Sequence, residues 1–156
     1  MMRRDGDDMV AAAALRTERR WDLPHAASAV PSAREELVDL LDSLGVRETT
    51  VDEAELAASE LLGNAVRHGR PGPHGTISLR VRVHEEVVEV AVTDGGPADG
   101  QAVDVRPRRT STVATRGRGL RIVRSLAQEW GVVVDPEAGD TTVWATIGGP
   151  SHRRAV

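Results

Sequence analysis

The sequence predicts an α+β fold: a two-layer sandwich with a mixed, mostly antiparallel sheet and helices on one face. Three observations predict it. Two segments with apolar residues at helical spacing come first, then the period shifts to strict alternation, and a third helical segment is followed by two more short apolar runs. Paired strands that follow one another without intervening helices argue against a doubly wound parallel sheet.

The elements follow in order. The start, residues 1–18, reads as a flexible tail, and "RRWDL" as a short strand ended by Pro24. In "PSAREELVDLLDSLGV", Leu37, Leu40, Leu41 and Leu44 share a helical stripe that stops at Gly45. Ser32 stands as N-cap with Glu35 in capping-box position. A second helix is expected from about Asp52 to His68, ended by Gly69 and blocked from continuing by Pro71 and Pro73. "TISLRVRVHEEVVEVAVTD" alternates as a hairpin around Glu85 and Glu86. Residues 97–116 show no period. A loop of that length in a compact domain is functional or disordered. A third helix is expected through "GLRIVRSLAQEW", then strands "GVVVD" and "TTVWATI" around the turn "PEAGD", and a loose tail over residues 149–156. One domain, residues 19–148, accounts for all the ordered elements.

Composition removes several functions. There is no cysteine, hence no disulfide, thiolate metal site or Cys nucleophile. There is no lysine either, so a Gly-Lys-Ser/Thr phosphate loop and a Schiff base are both excluded. The only aromatics are three Trp, which leaves the core to Val, Leu, Ile and Ala. Net charge is −4, without the basic stripe and stacking aromatics of a nucleic-acid binder. No apolar run approaches the ~20 residues that span a bilayer. The expectation is a soluble cytoplasmic protein with no direct nucleic-acid or membrane partner.

Three segments can carry chemistry. In "ELLGNAVRHG", Glu60 and Asn64 lie four apart on one helical face. The first can act as a general base, and the second offers a carbonyl oxygen suited to Mg²⁺; equally, both fit the solvent side of an amphipathic helix. In "VTDGG", Asp94 leaves a strand end where it can accept from an exocyclic amine, although Asp-Gly is also a common turn. In "RGRGLRIV", Gly117 and Gly119 precede a helix start able to hold phosphate, or simply cap and hinge it. His68 reads as a partly buried histidine capping the helix end, and Trp130 and Trp144 as core or edge packing.

Taken in order, "SELLGNAVRHG", the Asp-x-Gly at a strand end, the long loop, "GRGLRIVRSLAQEWGV" and "TTVWATI" resemble the GHKL ATPase superfamily. The nearest likeness is to the single-domain bacterial anti-sigma-factor serine kinases, from roughly Trp21 to Ile147. The resemblance implies the Bergerat ATP-binding sandwich with ATP and Mg²⁺ as ligands. It implies Glu60 as general base and Asn64 as Mg²⁺ ligand. Asp94 would read the adenine amine, with Gly96 opening the pocket floor. Gly117, Gly119 and Leu120 would form the phosphate-facing turn, and Thr142 would support Asp94. Residues 97–116 become an ATP lid, and one or two of Arg106, Arg108, Arg109, Arg116 and Arg118 would supply positive charge to the triphosphate. The implied function is a serine protein kinase that switches between partners, binding a sigma factor or similar regulator and phosphorylating an antagonist protein. The alternative is an ATP-binding regulatory module that sequesters a partner without turnover. A homodimer through the first strand and first helix is also implied.

Overall fold

The computed structural model describes residues 15–97 and 118–149. The chain runs β1 (Leu15–Pro24), α1 (Val30–Ser43), α2 (Glu48–His68), β2 (Thr76–His84), β3 (Val87–Asp94), α3 (Arg118–Leu126), β4 (Glu129–Val134) and β5 (Thr141–Gly148). This is the expected order. The strands form one sheet in the order β1-β2-β3-β5-β4, and all four neighbouring pairs are antiparallel. The sheet is therefore antiparallel throughout its described residues, not mixed.

Alternation decides which face is buried. Leu79, Val81 and Val83 of β2, Val88, Val90 and Val92 of β3, and Ala145 and Ile147 of β5 all point to one side. They meet Leu37 and Leu41 of α1, Leu61 and Leu62 of α2, and Val123 of α3 in a single core. The face of α2 that enters this core is largely alanine (Ala54, Ala57, Ala58, Ala65), so a chain without Phe or Tyr closes its core by bringing the helix near the sheet. The other sheet face carries charge: Arg82 pairs with both Glu18 and Glu89, and Arg80 with Glu89 at 3.5 Å. The helices thus lie on one face, as expected.

Boundaries moved where packing overrides local signals. Strand β1 begins at Leu15, inside the segment read as tail, because it pairs with β2 along its length. Helix α1 starts at Val30, before Ser32, and no side chain caps it. Pro31 fits its first turn, where a missing N–H costs nothing, so Ser32 falls inside the helix instead of capping it. Helix α2 starts at Glu48, four residues early, since Thr50 and Val51 are buried. Helix α3 stops at Leu126: Gln128 donates its backbone N–H to Thr146 O at 2.8 Å, and Trp130 enters the core from a strand. Trp144 sits half-buried on the opposite face, its ring over Gly131. Glu85, at φ +54, makes the two-residue turn of the β2–β3 hairpin. Among the described residues no helix is long and apolar enough to cross a membrane.

Candidate functional site

The C-terminal half of α2 packs beside the end of β3, and a cleft opens between them. Leu61, Asn64, Ala65 and His68 of α2 form one wall. Val92, Asp94, Gly96 and Pro97 form the second, Thr141 and Val143 of β5 the floor, and Leu120 of α3 the far side. The space inside it, open solvent at the mouth included, is about 520 Å³.

Asp94 leaves β3 half-buried, and its Oδ1 accepts the Gly96 backbone N–H at 2.8 Å. A carboxylate has about four acceptor sites, so this bond orients the group without exhausting it. Two strands of loop hold the turn. Arg70 N–H donates to Gly96 O and Gly95 N–H to Arg70 O, each at 2.7 Å, while Arg70 Nε donates to Pro97 O at 2.9 Å. The exit of α2 and the turn after β3 therefore run as a short antiparallel ladder. Gly96 has φ +101, a left-handed conformation, and a Cβ there would come 2.7 Å from Gly139 O, so only glycine fits.

Asn64 lines the cleft with its Oδ1 accepting from Arg67 Nη2 at 3.4 Å. Glu60, one helical turn earlier and half-buried, stands outside the cleft wall, and its carboxylate makes no hydrogen bond among the described residues. His68 is exposed and lines the cleft, which differs from the partly buried cap expected for it. Leu120 is buried in the wall, and Arg118 and Gly119 open α3 beside it. Arg116 and Gly117, with residues 98–115 of the expected lid, lie outside the described residues.

Thr142 is not in the cleft. Its Oγ1 meets Thr93 Oγ1 at 2.7 Å on the charged face of the sheet. Its neighbour Thr141 pairs in register with Asp94 and shares the cleft-facing parity of Val143, Ala145 and Ile147. Thr141 is buried, and its Oγ1 has no hydrogen-bond partner among the described residues. A buried hydroxyl without a partner costs roughly 1–3 kcal/mol, and one that lines a cleft calls for a polar ligand atom or a water. The parity of the strand was a usable signal for Thr141. Gly69, buried at the end of α2, also lines the cleft and escaped notice as a simple helix terminator.

The arrangement can hold a flat, amine-bearing ring between aliphatic walls, with an oriented carboxylate and a waiting hydroxyl at one end. At the other end stand an amide oxygen and a helix start. Comparisons with known proteins give the family and the fold. The model of the histidine kinase-like ATPase domain matches residues 23–147. The crystal structure of the RsbU and RsbW domains of Rv1364c from Mycobacterium tuberculosis superposes with a TM-score of 0.62 at 21% identity, over 85% of this chain and 32% of that one. The present chain thus spans about a third of that protein's chain. The SiaB–SiaC complex from Pseudomonas aeruginosa gives a TM-score of 0.59 at 13% identity, over 92% of this chain and 96% of that one. At such identities the likeness is one of fold. No curated protein matches the sequence significantly.

Proposed function

Because the chain belongs to the histidine kinase-like ATPase domain family, we propose that it binds ATP with Mg²⁺ in this cleft and acts as a serine protein kinase in a partner-switching pair. The observation that carries the reading is the convergence on one cleft, within the matched residues, of Asn64, Asp94 and a Thr141 hydroxyl that has no partner among the described residues.

Each residue then has a task. Asp94 accepts the adenine amine, held in place by the Gly96 N–H. Thr141, not Thr142, completes the hydrogen bonding around that edge, directly or through a water. Gly96 keeps the floor open, and Leu61, Val92 and Leu120 exclude water from the ring's faces. Asn64 would hold Mg²⁺ through its Oδ1, which now accepts from Arg67, and Arg67 would then be available to the phosphates. When bound, Mg²⁺ neutralises charge on the phosphates and fixes their geometry. Gly117, Gly119 and the first turn of α3 supply N–H groups for phosphate, with Arg116 and Arg118 as positive charge. Glu60, a turn away from Asn64, takes the proton of an incoming serine hydroxyl. The partners on this reading are a sigma factor or comparable regulator and an antagonist protein that carries the serine. The active form is a cytoplasmic homodimer through β1 and α1.

A second reading keeps ATP binding but drops turnover. It is favoured by one observation: the cleft wall is complete without Glu60. Calorimetry with MgATP on wild type, Asp94→Asn and Glu60→Ala separates the two. Asp94→Asn should weaken binding about 10- to 100-fold, the value of a charge-assisted hydrogen bond, while Glu60→Ala binds as wild type. In a phosphotransfer assay with the antagonist protein, Glu60→Ala should lose roughly 10²- to 10⁴-fold in rate. Wild type that binds ATP but transfers nothing supports the sequestering module. Wild type that binds no ATP sinks both readings.

A further inference from the structure

His25 lies in the connection between β1 and α1, far from the cleft in sequence. Its Nε2 sits 3.0 Å from Ala65 O and 3.0 Å from Gly69 O, across 40 and 44 residues. Both neighbours are carbonyl oxygens, so Nε2 must carry the hydrogen and donate to them. The ring is half-buried, and the backbone N–H of His25 also reaches Gly75 O at 3.4 Å.

The two carbonyls are not arbitrary. Ala65 lies in the last turn of α2 and Gly69 is its C-cap, so the two carbonyls bracket the end of the helix. Ala65 O takes the N–H of Gly69 at 3.0 Å as well as the imidazole. Ala65 follows Asn64, and both line the cleft. Gly69 is the point where the helix passes so near Asp94 that a Cβ would overlap the carboxylate. The next residue, Arg70, begins the ladder that holds the Asp94–Gly96 turn. One imidazole N–H therefore touches the segment that joins the amide pole of the cleft to its carboxylate pole.

We infer that His25 is a positioning residue for the nucleotide site: by clamping the last turn of α2 it sets the spacing between Asn64 and the Asp94 carboxylate. This rests on the ATP-binding reading above. The clamp comes from a different element than either pole, so displacement of the β1–α1 connection would be felt in the cleft. A positioning hydrogen bond of this kind is worth about tenfold in an equilibrium constant.

The experiment compares wild type, His25→Leu and His25→Gln. Leu has similar bulk and no donor; Gln returns an N–H at about the reach of Nε2. Calorimetry with MgATP reads affinity and stoichiometry separately, and amide hydrogen exchange reads Gly69, Arg70 and Gly95. His25→Leu should bind about tenfold more weakly at unchanged stoichiometry, with faster exchange at those three amides. His25→Gln should return to within about threefold of wild type. A variant that merely misfolded would lose stoichiometry instead of affinity, and Gln would not rescue it. Affinity and exchange in His25→Leu equal to wild type would overturn the inference. Weak binding without rescue by Gln would overturn it too, by assigning the effect to bulk. If wild type binds no ATP, the nucleotide role of His25 falls together with that reading. Exchange unchanged in His25→Leu would refute the clamp itself, independently of any nucleotide.

Discussion

At Gly69 a Cβ would fall on the Asp94 carboxylate and come 2.8 Å from Ala65 O. The backbone there is extended, at φ −96 and ψ 163, which any residue can adopt. What glycine provides at this position is room, not conformational freedom. Gly69→Ala should therefore push the carboxylate aside and spread the ladder between Arg70 and Gly96. Overpacking of this kind costs about 1–3 kcal/mol. The cost should appear in urea unfolding, together with at least a tenfold loss of ATP affinity by calorimetry. An alanine variant that binds ATP like wild type would show that Asp94 does not need its present position. The same scale separates what local sequence carries from what it does not. Glu60, Asn64 and Asp94 stand in recognisable strings, and all four motif segments within the described residues border one cleft. Thr141 differs, because "TT" offers two hydroxyls and only the sheet register chooses between them. His25 has no local signal, since its partners lie 40 and 44 residues on.

The order of elements was legible because their periods differ: leucines at helical spacing in α1, alternating valines in β2 and β3. Their ends were less so. Gln128–Trp130 continues a helical pattern, yet pairing with β5 and burial of Trp130 draw it into β4. Turns close to the site show how an element can pass chemistry to its neighbour. In the β4–β5 turn, Asp135 Oδ1 accepts N–H groups from Glu137 at 2.9 Å and Ala138 at 3.2 Å. These bonds, Ala138 first, hold the Asp135 carboxyl below its ordinary value of 3.8. The sign follows from linkage. The open turn binds a proton more readily than the closed one, so the bonds support the turn above pH 3.8 and are lost as pH falls toward the lowered value. Gly139, in this turn, faces Gly96 across a gap too small for a Cβ. Acidification should thus loosen the turn and then the floor of the cleft. Titration of the Asp135 carboxyl carbon by NMR should give a midpoint under 3.8, and Asp135→Asn should remove the acid-induced shift of the Gly139 amide. A midpoint at or above the ordinary value would refute the capping role.

For the molecule as a whole, the cleft is a joint between segments far apart in sequence. Its walls come from α2 and β3 on the N-terminal side of residues 98–117, and from α3 and β5 beyond them. All of these elements share one hydrophobic core. A ligand held in the cleft therefore contacts elements that unfold together, and its binding energy adds to the stability of the entire fold instead of one loop. For ATP at about one hundred times its dissociation constant, mass action contributes roughly 2.7 kcal/mol. In a domain of this size each kcal/mol raises Tm by about 2–4 °C. Saturating MgATP should then shift a single thermal transition upward by about 5–10 °C. Asp94→Asn at the same nucleotide concentration should shift far less, because its occupancy is lower. Glu60→Ala should shift as much as wild type, since the cleft wall does not include it. A wild-type Tm that ignores MgATP would argue against nucleotide binding. A split into two transitions on adding ATP would mean instead that the two sides of the cleft do not unfold as one body, contrary to the shared core.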